Sequence, residues 1–477
     1  MERLTFLLKV IVMAITVDEI LFRTTWIPNN SDWVKPTYFE FFKKDLNLAP
    51  EGDIAWCTGT LESGKMCNFR NICYSHVDEV FVMIKNDESF AERNYSLPVF
   101  YFNESGKGRF PVILRTDSVN LTTAVGAFYP FQYFEVSSEF ISRRGYQFIN
   151  YLEGKYLLYH PFVQTNIMHF LHDDLLPIFT TMSRYDDMTD VPVRTLVAHS
   201  SPLTYGSELL KLVSKYDPIS QTVLSLEPKE SLTCFEDVWV GLSRETVWYQ
   251  YGFNDIVEGH VSESKLNLEY IKQFTDFVKK GFKIPQLCTD TNYGVLFSRK
   301  ETRLILNEKD LAKAIATALD IDVIEVSMEH NSVPEIIKII SCAKFATGIH
   351  GSLLIFSMFL PQSSVLLELY PFALNPNSYT PYRTLMSVSG MDVEYLTWRN
   401  TNRSNTFTHD SNDAINGGIN HLSIEEQERI RNSNEVPPHP CCYDPEFRFR
   451  LNQDTIVDIP SVVDILKRSR LLSIPTR

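Results

Sequence analysis

The feature that most constrains the fold is an alternation of strand-like and helix-like segments between residues 294 and 371. Apolar strands followed by amphipathic helices predict a parallel sheet covered by helices on both faces, and so an α/β fold. Such a sheet binds ligands at the carboxyl ends of its strands. The predicted strands end near residues 299, 327, 346 and 371, and the predicted helices cover residues 307–320, 332–343 and 352–361, with Asn307 as the first helix cap.

A glycine-containing turn follows the third of these strands. Gly348 and Gly351 let the backbone approach a ligand closely, and a helix begins at Ser352. The free amides and partial positive charge of a helix N-terminus suit a diphosphate, to which His350 and the amides of Gly351 and Ser352 would add hydrogen bonds. The alternative is a tight turn in which the histidine has only a structural role.

Charged residues follow two of the other strands. Arg299 and Arg303 come directly after the first strand, and an arginine fork matches phosphate oxygens. Glu368 closes the fourth strand, where a carboxylate can accept hydrogen bonds from a ribose diol. The alternatives are an exposed charged loop for the arginines and a salt bridge to a core arginine for Glu368.

In the first half, residues 169–177 contain His172, Asp173 and Asp174 in succession. A histidine or carboxylate on the acceptor side can remove the proton of an attacking hydroxyl. The same residue types could hold Mn²⁺ or Mg²⁺, or could form a capped helix start with solvated acids. Further on, Trp248 and Tyr249 could stack on a sugar or a uracil ring, although a core strand explains them as well.

The chain has 477 residues, which exceeds one ordinary core, and its net charge of -14 excludes a dominant basic surface for nucleic acid. The predicted divisions are a signal anchor or signal peptide (1–20), a stem (21–50), an acceptor-side domain (51–282), a nucleotide-sugar-binding Rossmann-like domain (283–400) and a tail whose helix packs back on the body (401–477).

Three features indicate the secretory pathway. The apolar stretch of residues 4–17 fits a signal anchor or signal peptide, although a buried amphipathic helix is an alternative. The eight cysteines permit disulfides, and we expect most to be paired and Cys342 to be a buried thiol. The glycosylation sequons begin at Asn29, Asn94, Asn103, Asn120 and Asn402.

Eight blocks of the chain together resemble one known family. They are HFLHDDLLPIF, VWYQYGF, VLFSRKETRLILNE, HGSLL, LELYPFALNPNSYTPYRTL, GGINHL, EVPPHPCC and QDTIVDIPS. In this order they resemble the protein O-linked-mannose β-1,4-N-acetylglucosaminyltransferase 2 group of glycosyltransferase family 61 (GT61), over residues 57–461. No single block is specific, but eight in one order are.

The resemblance implies a GT-B architecture, in which two Rossmann-like domains face a central cleft. It implies an inverting transfer of N-acetylglucosamine from UDP-GlcNAc, held mainly by the C-terminal domain, to an O-linked mannose on a protein. It places the enzyme in the endoplasmic reticulum membrane as a single-pass type II protein. GT-B enzymes commonly work without a metal, so we expect no required cofactor and favour acid and base roles for His172, Asp173 and Asp174.

Two departures from the family pattern stand out. Members of the group continue into a fibronectin type III domain, and its absence from this sequence bears on acceptor choice and on formation of a homodimer. The family commonly has His-Gly-Ala where this chain has His350-Gly351-Ser352.

Two alternatives to the implied function stay open. One is a related transferase that glycosylates EGF-like repeats or adds xylose, and the other is an inactive lumenal protein that binds glycans.

Overall fold

Two large sheets organise the chain, one in each half of the sequence. The computed structural model describes residues 54–59, 64–85, 99–104, 108–127, 129–184, 193–198, 206–214, 216–224, 226–253, 258–288, 291–409, 411–438 and 443–472. The predicted anchor and stem lie outside these residues. Within these ranges, no helix has both the length and the apolar character needed to cross a membrane.

The first half contains ten strands of one sheet and a short hairpin. The strands are β1 (Ile54–Thr58), β2 (Met66–Ser75), β3 (Val80–Lys85), β4 (Val99–Glu104), β5 (Gly108–Asn120), β6 (Pro130–Ser137), β7 (Phe148–Tyr159), β8 (Val193–Val197), β9 (Ile219–Ser220) and β10 (Ser231–Val240), and the hairpin is β11 (Tyr249–Gln250) with β12 (Gly259–His260). The helices are α1 (Ser138–Arg144), α2 (Ile167–His169), α3 (Leu176–Arg184), α4 (Gly206–Val213), α5 (Gln221–Leu224) and α6 (Leu268–Gly281), with a π-helix (Phe170–Leu175) between α2 and α3.

The second half contains a five-stranded sheet and a tail. Its strands are β13 (Tyr293–Phe297), β14 (Asp322–Val326), β15 (Phe345–Ile349), β16 (Ser364–Tyr370) and β17 (Val393–Arg399), followed by the pair β18 (Thr406–Phe407) and β19 (Asp454–Thr455). The helices are α7 (Glu308–Leu319), α8 (Val333–Ile340), α9 (Pro381–Met386), α10 (Ile424–Asn432), α11 (Pro445–Leu451) and α12 (Ile459–Lys467), and the 3₁₀ helices are Ser352–Phe359, Arg403–Asn405 and Arg470–Leu472.

The second sheet confirms the prediction of a parallel α/β unit. Its strand order is β14-β13-β15-β16-β17, and every neighbouring pair is parallel. The chain reverses its direction of progress across the sheet between β13 and β15. In sheets of this kind, loops that leave the carboxyl ends of the two strands at such a switch point form the ligand site.

The first sheet is mixed rather than parallel. Its order is β4-β5-β6-β3-β2-β10-β7-β8-β9, with β1 paired to β2. The pairs at one end, from β10 to β9, are parallel, whereas β2 pairs with both β3 and β10 in antiparallel fashion. The description of this half as Rossmann-like therefore fits only the parallel end of its sheet. The predicted domain boundaries stay predictions.

The two halves share one hydrophobic core. Phe170 and Leu171 from the first half and Leu354 and Phe356 from the second belong to the same buried cluster. A hydrogen bond between the halves accompanies this packing. The indole of Trp248 donates to the carbonyl of Pro381 (3.1 Å). The contact of α2 and α9 with the 3₁₀ helix Ser352–Phe359 joins the halves next to the switch point.

Three disulfides stabilise the described chain. They join Cys57 to Cys67, Cys73 to Cys234 and Cys288 to Cys342. The prediction of a buried thiol at Cys342 was therefore wrong. Its partner is 54 positions earlier in the sequence, in the segment before β13, and only the packing of that segment beside the end of α8 brings the two together.

Two sequons lie where their side chains can be described. Asn402 is exposed, and its side chain accepts a hydrogen bond from the amide of Ser404. Asn120 donates its side-chain amide to the carbonyl of Ala127 (2.6 Å), and Thr122 is buried. Glycosylation at either of these asparagines stays a prediction. Asn29 and Asn94 lie outside the described residues, and so does the side chain of Asn103.

The cap predicted for α7 has a different role. Asn307 occupies the N-cap position, but its side chain forms no capping hydrogen bond. Instead it both donates to and accepts from the backbone of Val457, at 2.8 and 2.9 Å. The side chain thus ties the tail to the second sheet, where α12 packs against α7.

Candidate functional site

The switch point of the second sheet gathers the predicted phosphate-binding residues. Arg299 and Arg303 follow the carboxyl end of β13, and the turn at residues 350–352 follows the carboxyl end of β15. A Cβ atom on Gly351 would lie 2.6 Å from Arg303 Nη1 and 3.4 Å from Arg299 Nη1. Both guanidinium groups therefore end at this glycine, and a side chain at this position would force Arg303 to shift.

Arg303 is a cation with neutral partners. Its Nη1 donates to the carbonyl of His350 (3.3 Å) and its Nε donates to the side-chain carbonyl of Asn452 (3.2 Å). Within the described part of the chain no carboxylate forms an ion pair with it. Burial and, to a smaller extent, the charge of the nearby Arg299 together lower the pKa of Arg303 to about 9.

The backbone of Arg303 adds to the cost of this arrangement. Its φ of 60° lies in the left-handed region, which a residue with a side chain rarely adopts. The amide of Arg303 donates to the carbonyl of Asn452, so α11 and the tail hold the loop in place. A desolvated cation that has only neutral partners among the described residues is suited to form charge-assisted hydrogen bonds with an anion.

The turn itself is held by Tyr382 of α9, whose buried hydroxyl donates to the carbonyl of Gly351 (2.6 Å). The helix that begins at Ser352 is a 3₁₀ helix rather than an α-helix. Its first amides lack partners within the helix, so they remain available to an anion beside the two arginines.

Glu368 orients His350 in the structure. Its Oε1 lies 2.5 Å from His350 Nδ1, and its other oxygen accepts a hydrogen bond from the Tyr395 hydroxyl. Glu368 is fully buried in β16, and neither a core arginine nor open space adjoins it among the described residues. The predicted contact with a ribose therefore lacks an accessible oxygen. With Nδ1 engaged, His350 has Nε2 left for a ligand.

The structure places His172, Asp173 and Asp174 in the π-helix, with all three side chains completely buried. The alternative of a helix start with solvated acids is therefore wrong. Asp173 accepts hydrogen bonds from His172 Nδ1 (2.8 Å), His169 Nδ1 (2.9 Å) and the Tyr251 hydroxyl (2.7 Å). Burial opposes ionisation of Asp173, but His172 and His169 outweigh it and lower its pKa.

Asp174 has the opposite electrostatics. Burial raises its pKa well above the usual value, and the neighbouring Asp173 raises it further. The backbone amide of Phe162 donates to Oδ1 (3.2 Å), while Oδ2 has no hydrogen-bond partner among the described residues. Two adjacent carboxyl groups thus differ in state, one charged and bonded on both oxygens and one favouring the protonated form.

Trp248 and Tyr249 are buried between the halves rather than exposed for stacking. The Tyr249 hydroxyl accepts a hydrogen bond from the amide of Thr380 (3.1 Å). The Trp248 ring meets the His172 ring edge to face at 4.1 Å. The alternative of core aromatic residues describes them correctly. They nevertheless connect the two predicted clusters, because α9 carries both the Pro381 acceptor of Trp248 and the Tyr382 that binds Gly351.

Several residues that complete these clusters were missed in the sequence. They include His169 and Tyr251 around Asp173, and Tyr382, Tyr395 and Asn452 around the turn. Only His169 left a local trace, because it precedes Asp173 by four residues, one helical turn. Among the described residues no group of three or more His, Cys, Asp or Glu side chains is arranged to hold a metal ion.

Comparisons with known proteins agree with the resemblance seen in the sequence. The model of the family described as "Glycosyltransferase 61" matches residues 167–367. Proteins named "protein O-linked-mannose beta-1,4-N-acetylglucosaminyltransferase 2" from Takifugu rubripes, Danio rerio and Mus musculus are 37%, 36% and 33% identical to this chain. The alignments cover 88%, 88% and 90% of this chain and 70%, 70% and 71% of the relatives.

Among solved structures, the E. coli heptosyltransferase WaaC with ADP matches with a TM-score of 0.27 and 10% identity. That match covers 51% of this chain and 93% of the bacterial one, and it is too weak to support any inference.

We expect Gly351→Ala to weaken diphosphate binding, because the added methyl group would displace Arg303 Nη1. Calorimetric titration with UDP should show a loss on the order of tenfold or more in affinity. Gly259→Ala is the matched control, since a Cβ there meets nothing within 4 Å. Equal UDP affinities in the two variants would contradict the placement of the anion at Gly351.

We expect Asp174→Asn to raise the midpoint of thermal unfolding at pH 8. The folded-state pKa of Asp174 is raised, so its contribution to stability is full below the unfolded pKa and is lost as the pH rises through the folded pKa. The gain should therefore shrink towards pH 4. Asp173→Asn should instead lower the midpoint at neutral pH, because the lowered pKa of Asp173 stabilises the fold when that group is ionised. A lower midpoint for Asp174→Asn at pH 8 would refute this assignment.

Proposed function

The chain belongs to glycosyltransferase family 61 and is a glycosyltransferase, and from this premise we propose that it transfers N-acetylglucosamine from UDP-GlcNAc to an O-linked mannose on a protein. The names of its relatives support the transferred sugar, the O-linked mannose acceptor and the β-1,4 linkage. Transfer to EGF-like repeats, or of xylose, is the second candidate within the same family.

The observation that carries the proposal is the pair of guanidinium groups at Gly351. Arg303 has no carboxylate partner among the described residues, and it lies at the switch point of a parallel sheet. The two negatively charged phosphates of UDP would provide the missing counter-charge. Because Arg303 donates hydrogen bonds to carbonyl oxygens, its guanidinium group is held in place. The cation therefore need not reorganise as charge develops on the diphosphate.

The proposed reaction inverts the anomeric centre. The acceptor hydroxyl oxygen attacks C1 of N-acetylglucosamine, the bond from C1 to the phosphate oxygen breaks, and UDP leaves with the bonding electron pair. Arg299, Arg303 and the first amides of the 3₁₀ helix would stabilise the charge that develops on the diphosphate. His350, in the doubly protonated form that Glu368 would stabilise through Nδ1, would donate a hydrogen bond to the diphosphate from Nε2.

Two consequences concern the architecture and the cofactor. We propose a GT-B arrangement in which the donor binds the second sheet and the acceptor approaches from the side of the π-helix. The packing of α2 on the 3₁₀ helix supports this arrangement, because it brings the segment before the π-helix next to the donor side. The cationic pair would do the work that a metal ion does in other transferases, so a divalent metal is not required.

The disulfide bonds bear on the cellular compartment in which the enzyme works. Three disulfides support an oxidising compartment, and we propose the lumen of the endoplasmic reticulum, reached through the N-terminal segment as a membrane anchor. The partner there is the O-mannosylated protein. Self-association into a homodimer is part of the same proposal.

The deciding experiment incubates the purified protein with UDP-GlcNAc and an O-mannosyl peptide and reads the product mass. The expected result is a gain of one N-acetylhexosamine, which β-1,4-linkage analysis then characterises. Parallel reactions contain an EGF-like repeat, a peptide without mannose, or UDP-xylose as donor. Transfer confined to any of those arms would replace the proposed substrates, and activity retained in EDTA would exclude a metal requirement.

We expect Arg303→Ala to raise the KM for UDP-GlcNAc on the order of 10- to 100-fold, as a charge-assisted hydrogen bond contributes about 1.5–3 kcal/mol. Arg468→Ala is the control, because that arginine is on the surface of the molecule beyond α12, with a side chain 76% exposed. Initial rates at varied donor concentration give both constants. An unchanged donor KM for Arg303→Ala would remove this residue from the site.

A further inference from the structure

The hydrogen-bond network around Asp173 has one member that reaches the surface. Asp173, His172 and Tyr251 are buried, whereas the side chain of His169 is 14% exposed. His169 Nδ1 lies 2.9 Å from Asp173 Oδ2, one helical turn away. An imidazole held at one nitrogen by a buried carboxylate, with the other nitrogen facing outward, is the arrangement that proton transfer to a bound substrate requires.

The other groups of the network are poorly placed to accept a proton from an acceptor. His172 Nε2 accepts a hydrogen bond from the backbone amide of Trp248 (3.2 Å), so this nitrogen carries no proton and is already occupied. Its Nδ1 therefore carries the proton and donates a hydrogen bond to Asp173. Both oxygens of Asp173 are bonded in turn, and Asp174 is fully buried with a raised pKa.

The orientation of the His169 ring is also fixed by its neighbours. The rings of Phe162 and Tyr251 pack against it edge to face, at 4.9 and 4.6 Å. Because Asp173 occupies Nδ1, Nε2 is the nitrogen left for a ligand, and no described residue provides it with a hydrogen-bond partner. The helix α2 that carries His169 packs on the 3₁₀ helix that begins at Ser352.

We propose that His169 is the catalytic base of the transfer and that Asp173 is its positioning residue. This inference rests on the proposed function, since it assigns the proton of that reaction. As the acceptor oxygen bonds to C1 and UDP departs with its electron pair, the hydroxyl proton passes to His169 Nε2. The imidazolium formed is stabilised by Asp173 and then releases the proton to water.

The groups facing His169 set the expected pH dependence. On its own stretch of chain these are Asp173, His172 and Asp174; from the segment after β11 comes Tyr251, and Arg244 acts on Asp173 from further away. Protonation of His169 blocks acceptance of a proton, so the kcat of the wild type should fall on the acid side of its pH profile. A variant without the imidazole should lack that acidic decline.

The test compares His169→Gln with His330→Gln, a substitution of an exposed histidine before α8. The expected result is a fall in kcat on the order of 100-fold or more for His169→Gln, with UDP affinity unchanged and the protein still folded at the assay temperature. The control should match the wild type. A kcat within about threefold of the wild type for His169→Gln would overturn the inference.

A second variant separates chemistry from folding. His169→Ala leaves a space for free imidazole, and added imidazole should restore turnover in proportion to its concentration, whereas a purely structural histidine would give no such recovery. A His169→Ala protein that binds UDP but is not revived by imidazole would also overturn the inference. The wild type tests the proposed function itself. If it transfers no sugar to any acceptor tested, the proposed transfer is wrong, whereas the His169 variants test only the assignment of the base.

Discussion

The parallel pairing of β13 with β15 is the constraint on which the donor side of the molecule depends. Two parallel neighbours present their carboxyl ends at the same edge of the sheet, so the loops that leave them meet. Arg303 and Gly351 are far apart in the sequence, yet this pairing brings the arginine against the glycine. An antiparallel partner for β13 would have placed the two loops at opposite edges.

Placing Arg303 against Gly351 costs free energy, and the rest of the fold compensates for that cost. Arg303 is desolvated beside another arginine and has a backbone conformation unfavourable for its type. Neutral oxygens from His350 and Asn452 hold it without cancelling its charge. A carboxylate in their place would stabilise the free protein and would also compete with any anionic ligand, so the neutral partners keep the positive charge available.

The sequence predicted the second sheet well because its strands and helices have strong, regular periodicity over about eighty residues. Proximity of Arg303 to the turn followed from topology alone. Roles that depend on distant partners did not follow. Glu368 seemed to close a strand, but its burial and its contacts with His350 and Tyr395 come from packing. Likewise, the sequence left open whether the adjacent acids are solvated, because Tyr251 and Trp248, which enclose them, lie more than seventy positions away.

The core shared by the two halves limits how the protein can move. Domains that close over a substrate like a hinge meet through a thin, mostly polar surface, but here Phe170 and Leu171 pack in one apolar cluster with Leu354 and Phe356. Separating the halves would expose that cluster to water. We therefore expect substrate entry and product release to depend on rearrangement of local loops, with the relative orientation of the two sheets constant through a turnover.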